Sequence, residues 1–159
     1  MHASDHWTRR RAVILLVDDD PGDRELTRRA LEDDALRVQL CTVNDGQEAL
    51  DYLLRRNQFA DPAVSPRPDV ILLDLNMPRM NGRRVLEKLR ENPDLDRIPV
   101  IVLTTSSHEE DIVRSYSLGC NSFISKPVEI GPFMQAVRKL GDYWFELVAL
   151  PHGVETCPV

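Results

Sequence analysis

Short runs in which nearly every residue is apolar alternate along this chain with longer stretches in which apolar residues recur every three or four positions. The runs VILLV (13–17), VQLCTV (38–43), DVILL (69–73), IPVIVL (98–103) and SFIS (122–125) predict strands. Several are apolar on both faces, as a parallel sheet covered by helices on either side requires. Between them Leu26, Ala30 and Leu31, then Ala49, Leu50, Leu53 and Leu54, then Val85, Leu86 and Leu89, then Ile112, Val113 and Tyr116 each predict the buried stripe of one helix. Gly22, Gly46 and Gly82 fall at helix starts, Ser107 and Glu110 form a capping box, and Gly119 closes that helix. Strand followed by helix, five times over, predicts a doubly wound α/β fold: a five-stranded parallel sheet with helices on both faces.

Composition narrows the function classes. The chain has 159 residues, enough for one domain with its own core. Its 26 acidic and 20 basic residues leave a net charge of -6, which argues against a general nucleic-acid partner. Cys41, Cys120 and Cys157 are odd in number and lack paired metal spacing, so neither a disulfide framework nor a zinc site is expected, and a reducing cytoplasm fits. The basic start, residues 1–11, leads into an apolar run, Ala12 to Val17, too short for a signal peptide. No stretch is long enough to span a bilayer, and no membrane association is expected.

Ligands of open parallel sheets collect beyond the carboxyl ends of the strands. There the first strand runs into Asp18, Asp19 and Asp20, the third ends at Asp74, the fourth at Thr104 and the fifth at Lys126. Singly, each has an ordinary explanation as a loop or turn residue. Their coincidence at one edge does not. Two carboxylates about 4 Å apart repel by about 4 kcal/mol at an effective dielectric near 20, so such a cluster shifts its pKa values or recruits cations. Magnesium suits it: a hard ion that takes one or two carboxylates and leaves room for phosphate oxygens. Lys126 adds a positive charge able to pair with a carboxylate or a phosphoryl group, and Asp74 is placed as a nucleophile.

At LLVDDD, ILLDLNMPRMNG, IPVIVLTTSS and FISKPV the chain resembles the receiver domain of two-component response regulators, over residues 12 to 140. The resemblance implies a (βα)5 flavodoxin-like receiver fold that takes a phosphoryl group from a sensor histidine kinase in a magnesium-dependent reaction. It implies Asp74 as phosphoacceptor, and Asp18 and Asp19 as the metal-holding pair, Asp19 directly and Asp18 through water. Asn76 matches the residue whose backbone carbonyl completes the metal site, Thr104 the hydroxyl that contacts the phosphoryl group, and Lys126 its ion-pair partner. Thr104 and Phe123 match the switch pair, with Phe123 in place of the commoner Tyr and therefore without a hydroxyl. Thr105 is bulkier than the usual neighbour of the switch threonine. Asp20 is expected to be a loop residue leading into the helix at Pro21.

The expected organisation is an arm over 1–12, the receiver over 13–140, and a helical extension with a tail over 141–159, with no DNA-binding output domain. A long Pro-containing connection, RRNQFADPAVSPRPD (55–69), should be an exposed loop. With the extended end, it resembles the stand-alone regulators that partner bacterial phytochromes. In the terminal helix Phe133, Val137, Leu140, Trp144 and Leu147 follow four-three spacing, with Phe145 and Val148 beside them. The part up to Leu140 is expected to pack on the sheet. The apolar surface beyond it predicts a homodimer, its interface assigned to Phe133, Val137, Trp144, Phe145 and Val148.

Two rival readings are weaker. A haloacid-dehalogenase-like phosphatase shares the strand-end Asp, magnesium, Thr and Lys, but places a second Asp two residues after its nucleophile. Here that position is Asn76, which cannot exchange a proton. A flavodoxin-like cofactor binder would need a phosphate-cradling glycine loop where this chain has acids. The chain is therefore expected to be a phosphoacceptor signalling domain, catalysing only its own phosphorylation and dephosphorylation.

Overall fold

Strand order decides where any site can form, and here it is β2-β1-β3-β4-β5, all parallel. The strands are β1 (Ala12–Val17), β2 (Val38–Val43), β3 (Val70–Asp74), β4 (Val100–Thr104) and β5 (Ser122–Ser125). The helices are α1 (Pro21–Ala30), α2 (Gly46–Leu53), α3 (Gly82–Glu91), α4 (Ile130–Leu140) and α5 (Asp142–Val148). The structure is a computed structural model and describes residues 11–32, 36–105, 108 and 119–148. The helix expected around Ile112, Val113 and Tyr116, with its Ser107–Glu110 capping box, lies outside the described residues. All five strands lie where the apolar runs predict them, to within two residues.

Alternation along the central strands divides the core in two. Leu15, Val17, Ile71, Leu73, Val100 and Val102 face a cluster with α2 and α3; Ile14, Leu16, Val70, Leu72, Ile101 and Leu103 face a second cluster with α4 and α5. Both faces are buried, which is why these strands read as continuous apolar runs. Asp69 ties the start of β3 to β1 twice: Val13 N–H donates to Asp69 Oδ2 at 2.7 Å, and Asp69 N–H to the Val13 carbonyl at 2.7 Å.

Three expectations need correction. In α1 the inward residues are Thr27, 2% exposed, and Leu31 just after the helix, while Leu26 is 49% exposed. The inward row is therefore 23-27-31, turned about one position from the apolar reading. Leu54, likewise, is exposed just after α2. The 55–69 connection is exposed over most of its length, as expected, but not throughout. It contains a 3-10 turn at Asn57–Phe59, and buried Ser65 donates from Oγ to the Phe59 carbonyl at 2.9 Å. Tyr52 at the end of α2 donates its hydroxyl to the Pro66 carbonyl at 2.7 Å.

The third correction concerns the terminal segment. It is two helices, because Gly141 between them has φ 128°, a backbone that ends α4 and redirects the chain. α5 therefore folds back onto the protein's own core. Phe133, Val137 and Val148 are at most 2% exposed and belong to the second cluster, with Trp144 packed partly buried against it. The Val148 carbonyl accepts from Arg37 N–H at 2.8 Å, joining the end of α5 to the approach to β2. Phe133, Val137 and Val148 are thus buried within the chain itself rather than offered at its surface, and their spacing marks the intramolecular core. The Phe145 side chain lies outside the described residues.

Candidate phosphoryl-acceptor and metal site

The connection from β1 leads to β2 on one side, while its other neighbour is β3, so the crossovers reverse between β1 and β3. At that reversal the loops splay apart and leave a crevice at the carboxyl ends of the strands. Asp18 and Asp19 follow β1 there, and Asp74 is the last residue of β3.

The three carboxylates meet. Asp18, Asp19 and Asp74 each bring a carboxylate oxygen within 4.8 Å of the others. Asp18 is fully buried, Asp74 is 3% exposed, and Asp19 faces solvent. Local hydrogen bonds fix them. Asp18 Oδ1 accepts from Asp20 N–H at 3.0 Å, and Asp74 Oδ1 from Asn76 N–H at 3.0 Å. Arg24 reaches back from α1 to the Asp18 carbonyl at 2.8 Å. Asp20 is more than a loop residue, because its Oδ1 accepts from Gly22 N–H at 2.7 Å and Asp23 N–H at 3.2 Å and so caps α1.

Gly82 sets the approach of α3. A β-carbon there would stand 2.4 Å from the Asp74 carbonyl oxygen and 2.9 Å from the Leu75 α-carbon, so no larger residue fits unless the backbone moves. The Gly82 N–H donates to the Leu75 carbonyl at 3.1 Å. Asn81 caps the same helix, accepting from Arg84 N–H at 3.0 Å. The NMPRMNG stretch is thus a tight turn that returns α3 onto the end of β3.

Lys126 enters from the end of β5. Its N–H donates to the Thr104 carbonyl at 2.8 Å, and its Nζ lies 2.9 Å from Asp18 Oδ2, 2.9 Å from Asp74 Oδ2 and 3.0 Å from Asp23 Oδ2. The contacts to Asp74 and Asp23 are aligned hydrogen bonds. The one to Asp18 is a close charge contact without that alignment, leaving Asp18 Oδ2 as a buried side-chain oxygen with no hydrogen-bond partner. Burial works against the charge on Lys126, yet the hydrogen bonds to Asp74 and Asp23 and the close carboxylate of Asp18 hold its pKa above the ordinary lysine value. Burial pushes Asp74 up to about 6, against the downward pull of the Lys126 and Asn76 hydrogen bonds.

The donor set fits a hard divalent cation. It is all oxygen and carries three negative charges against one ammonium, and one buried carboxylate oxygen points to no aligned donor. Thr104 ends β4 fully buried, its Oγ1 donating to the Ile124 carbonyl at 3.4 Å. Phe123 pairs in register with Val102 and packs half-buried against the first cluster, one strand beyond β4. Asp18, Asp19, Asp74 and Lys126 are therefore in one constellation, with Asn76 bonded to it through its backbone.

Asp23 is the member that the reading of strand ends missed. It sits on α1, not at a strand end. Its signal was its place three residues after the capping Asp20, in the first turn of a helix that begins at the mouth of β1.

Known proteins share the sequence pattern and the fold. The family model for the response regulator receiver domain matches residues 14–138. Response regulator Rcp1 of Synechocystis sp. is 40% identical over 139 residues, 87% of this chain and 92% of that one. The solved structure of Mn(2+)-bound Rcp1 aligns with a TM-score of 0.66 at 39% identity, covering 88% of this chain and 99% of that one. The bacteriophytochrome response regulator RtBRR aligns at 0.77 and 44% identity, covering 89% and 82%. The phosphorylated cyanobacterial phytochrome response regulator RcpA aligns at 0.68 and 39%, covering 89% and 99%. Among the described residues no helix is long and apolar enough to cross a membrane. With its sheet order, its acids at the crossover reversal and matches running over most of these relatives' length, the chain belongs to the response regulator receiver domain family, as a signalling receiver related to the phytochrome response regulators.

Proposed function

We propose that Asp74 accepts a phosphoryl group from a phosphohistidine on a sensor histidine kinase of the phytochrome type. The single observation that carries this is the ammonium of Lys126 at 2.9 Å from Asp74 Oδ2, beside an acidic pair with one buried oxygen left without an aligned donor. An Asp74 oxygen forms the new O–P bond as the N–P bond of the donor breaks, and the imidazole leaves with the electron pair. Lys126 moves one N–H from the carboxylate to a phosphoryl oxygen, opposing the charge gathered there. Asn76 N–H holds the other Asp74 oxygen and so orients the nucleophile. Asp19 and Asp74 would hold Mg2+ directly, Asp18 through water and Asn76 through its carbonyl, and the ion would supply positive charge to the phosphoryl oxygens.

Thr104 and Phe123 are the proposed readout. The Thr104 hydroxyl leaves the Ile124 carbonyl for the phosphoryl group, a weak 3.4 Å bond to give up, and the Phe123 ring moves into the space released. Phe123 has no hydroxyl to re-bond, so the output is a packing change.

The net charge of -6 disfavours a nucleic-acid partner. A homodimer would have to use a surface other than the buried row of α4 and α5; Tyr143, 55% exposed, is the large apolar side chain that α5 offers among the described residues.

The test is incubation with acetyl phosphate and Mg2+, read on a phosphate-affinity gel. The wild type shifts and Asp74→Asn does not. A shift in both would assign the acceptor elsewhere.

A further inference from the structure

Three carboxylates share the Lys126 ammonium, and the acceptor-plus-metal reading uses only two of them. Asp23 is the third. It belongs to the inward row of α1, with Thr27 one turn on, and Oδ2 takes a hydrogen bond from Lys126 Nζ at 3.0 Å. Its side chain is 36% exposed, whereas those of Asp18 and Asp74 are 0% and 4% exposed. Asp23 therefore lies on the solvent side of the ammonium, opposite the buried pair. An ammonium has three N–H donors and no acceptor, and these three carboxylates occupy all of its close positions. Any phosphoryl oxygen that is to be bound by Lys126 must displace one of them.

We infer that Asp23 is a positioning residue that restrains phosphorylation: it holds Lys126 toward α1 and so withholds part of its charge from the phosphoryl group arriving at Asp74. This rests on Asp74 being the acceptor. The same contact eases metal binding. Lys126 and a divalent cation draw on the same oxygens of Asp18 and Asp74, and every bond that Lys126 makes to Asp23 is one it does not press onto that pair. Removing the Asp23 charge while keeping an acceptor oxygen frees Lys126 to lean on the buried carboxylates and on the incoming phosphoryl group. Metal binding weakens and phosphoryl transfer speeds up. These opposite signs separate the role from a merely structural one, because a damaged fold loses both together.

The experiment compares the full chain with Asp23→Asn, Asp23→Glu and Asp74→Asn. Calorimetric titration with Mg2+ alone reads metal affinity without reference to phosphorylation. Acetyl phosphate at saturating Mg2+ reads the second-order rate of transfer. There the Asp74 oxygen forms the O–P bond as the bond from phosphorus to the acetyl oxygen breaks, and acetate leaves with the electron pair. Asp23→Asn should bind Mg2+ about threefold more weakly and accept the phosphoryl group about fivefold faster, magnitudes set by one partly exposed charge. Asp23→Glu, which restores the charge, should return both toward wild type. Asp23→Asn equal to wild type in both measurements, a parallel fall in both, or a Glu variant that behaves like Asn would each overturn the inference. Phosphorylation that persists in Asp74→Asn would instead overturn the acceptor assignment, and the calorimetry would still decide whether Asp23 governs Lys126.

Discussion

Replacing Asp74 by Asn should stabilise the metal-free protein at neutral pH, although Asp74 bonds to both Lys126 and Asn76. Burial raises its pKa from 3.8 to about 6, so holding it ionised in the folded state costs free energy relative to the unfolded chain. Two pKa units at about 1.4 kcal/mol each set the cost near 3 kcal/mol above pH 7. The sign follows from the raised value. With the folded pKa above the unfolded one, the protonated form is favoured by folding. Its contribution is complete below about pH 4 and is lost as pH climbs through about 6. Asn has the shape of the protonated acid without its titration, and its carbonyl still accepts from Lys126. For a chain of this size about 3 kcal/mol corresponds to a Tm rise of about 6–12 °C. The assay is thermal unfolding in EDTA at pH 4 and pH 7.5, followed by circular dichroism. Asp74→Asn should melt higher than wild type at pH 7.5 and level with it at pH 4. Mg2+ should raise the wild-type Tm at pH 7.5, raise it less at pH 5, where protons compete for the carboxylate, and raise that of the variant little. A variant less stable than wild type at pH 7.5, or a gain independent of pH, would refute the claim that burial dominates the energetics of this carboxylate.

Gly82→Ala should cost about 2 kcal/mol and slow phosphorylation more than tenfold, because its β-carbon would meet the Asp74 carbonyl at 2.4 Å and displace the nucleophile; wild-type rates and Tm would mean that α3 has room to shift. Phe133→Ala, at a fully buried ring, should lose about 3–5 kcal/mol in urea unfolding. Val148→Ala should lose about 1–2 kcal/mol, with the sedimentation coefficient of each folded variant unchanged; dissociation without loss of stability would return these residues to a subunit interface.

The acceptor site shows why such a fold gathers charge at one place. Neighbouring strands β1 and β3 deliver Asp18, Asp19 and Asp74 to a common edge, and β5, two strands from β3, delivers Lys126 across it. The mutual repulsion of the acids is a standing cost, offset in part by one ammonium and open to further offset by a cation. The protein is thus under electrostatic tension where its chemistry is proposed to occur.

What the sequence determined by itself were the features that depend on neighbours along the chain. Runs apolar on both faces fixed the three buried central strands β1, β3 and β4, because a parallel sheet covered on both sides leaves polar residues no place within them, while the edge strands β2 and β5 stay partly exposed. Asp18, Asp19, Asp74, Thr104 and Lys126 were legible for the same reason: each ends a strand, and strand ends in such a sheet share an edge. The tertiary structure decided what spacing cannot encode. The apolar row from Phe133 to Leu147 was compatible with one helix offered to a partner or with two folded inward, and Gly141 at φ 128° chose the second by turning α5 back onto the core. Asp23 and Leu26 differ by less than one helical turn, yet one bonds Lys126 and the other faces water. The angle at which α1 docks makes that difference, and it is set by packing against distant residues rather than by its own sequence.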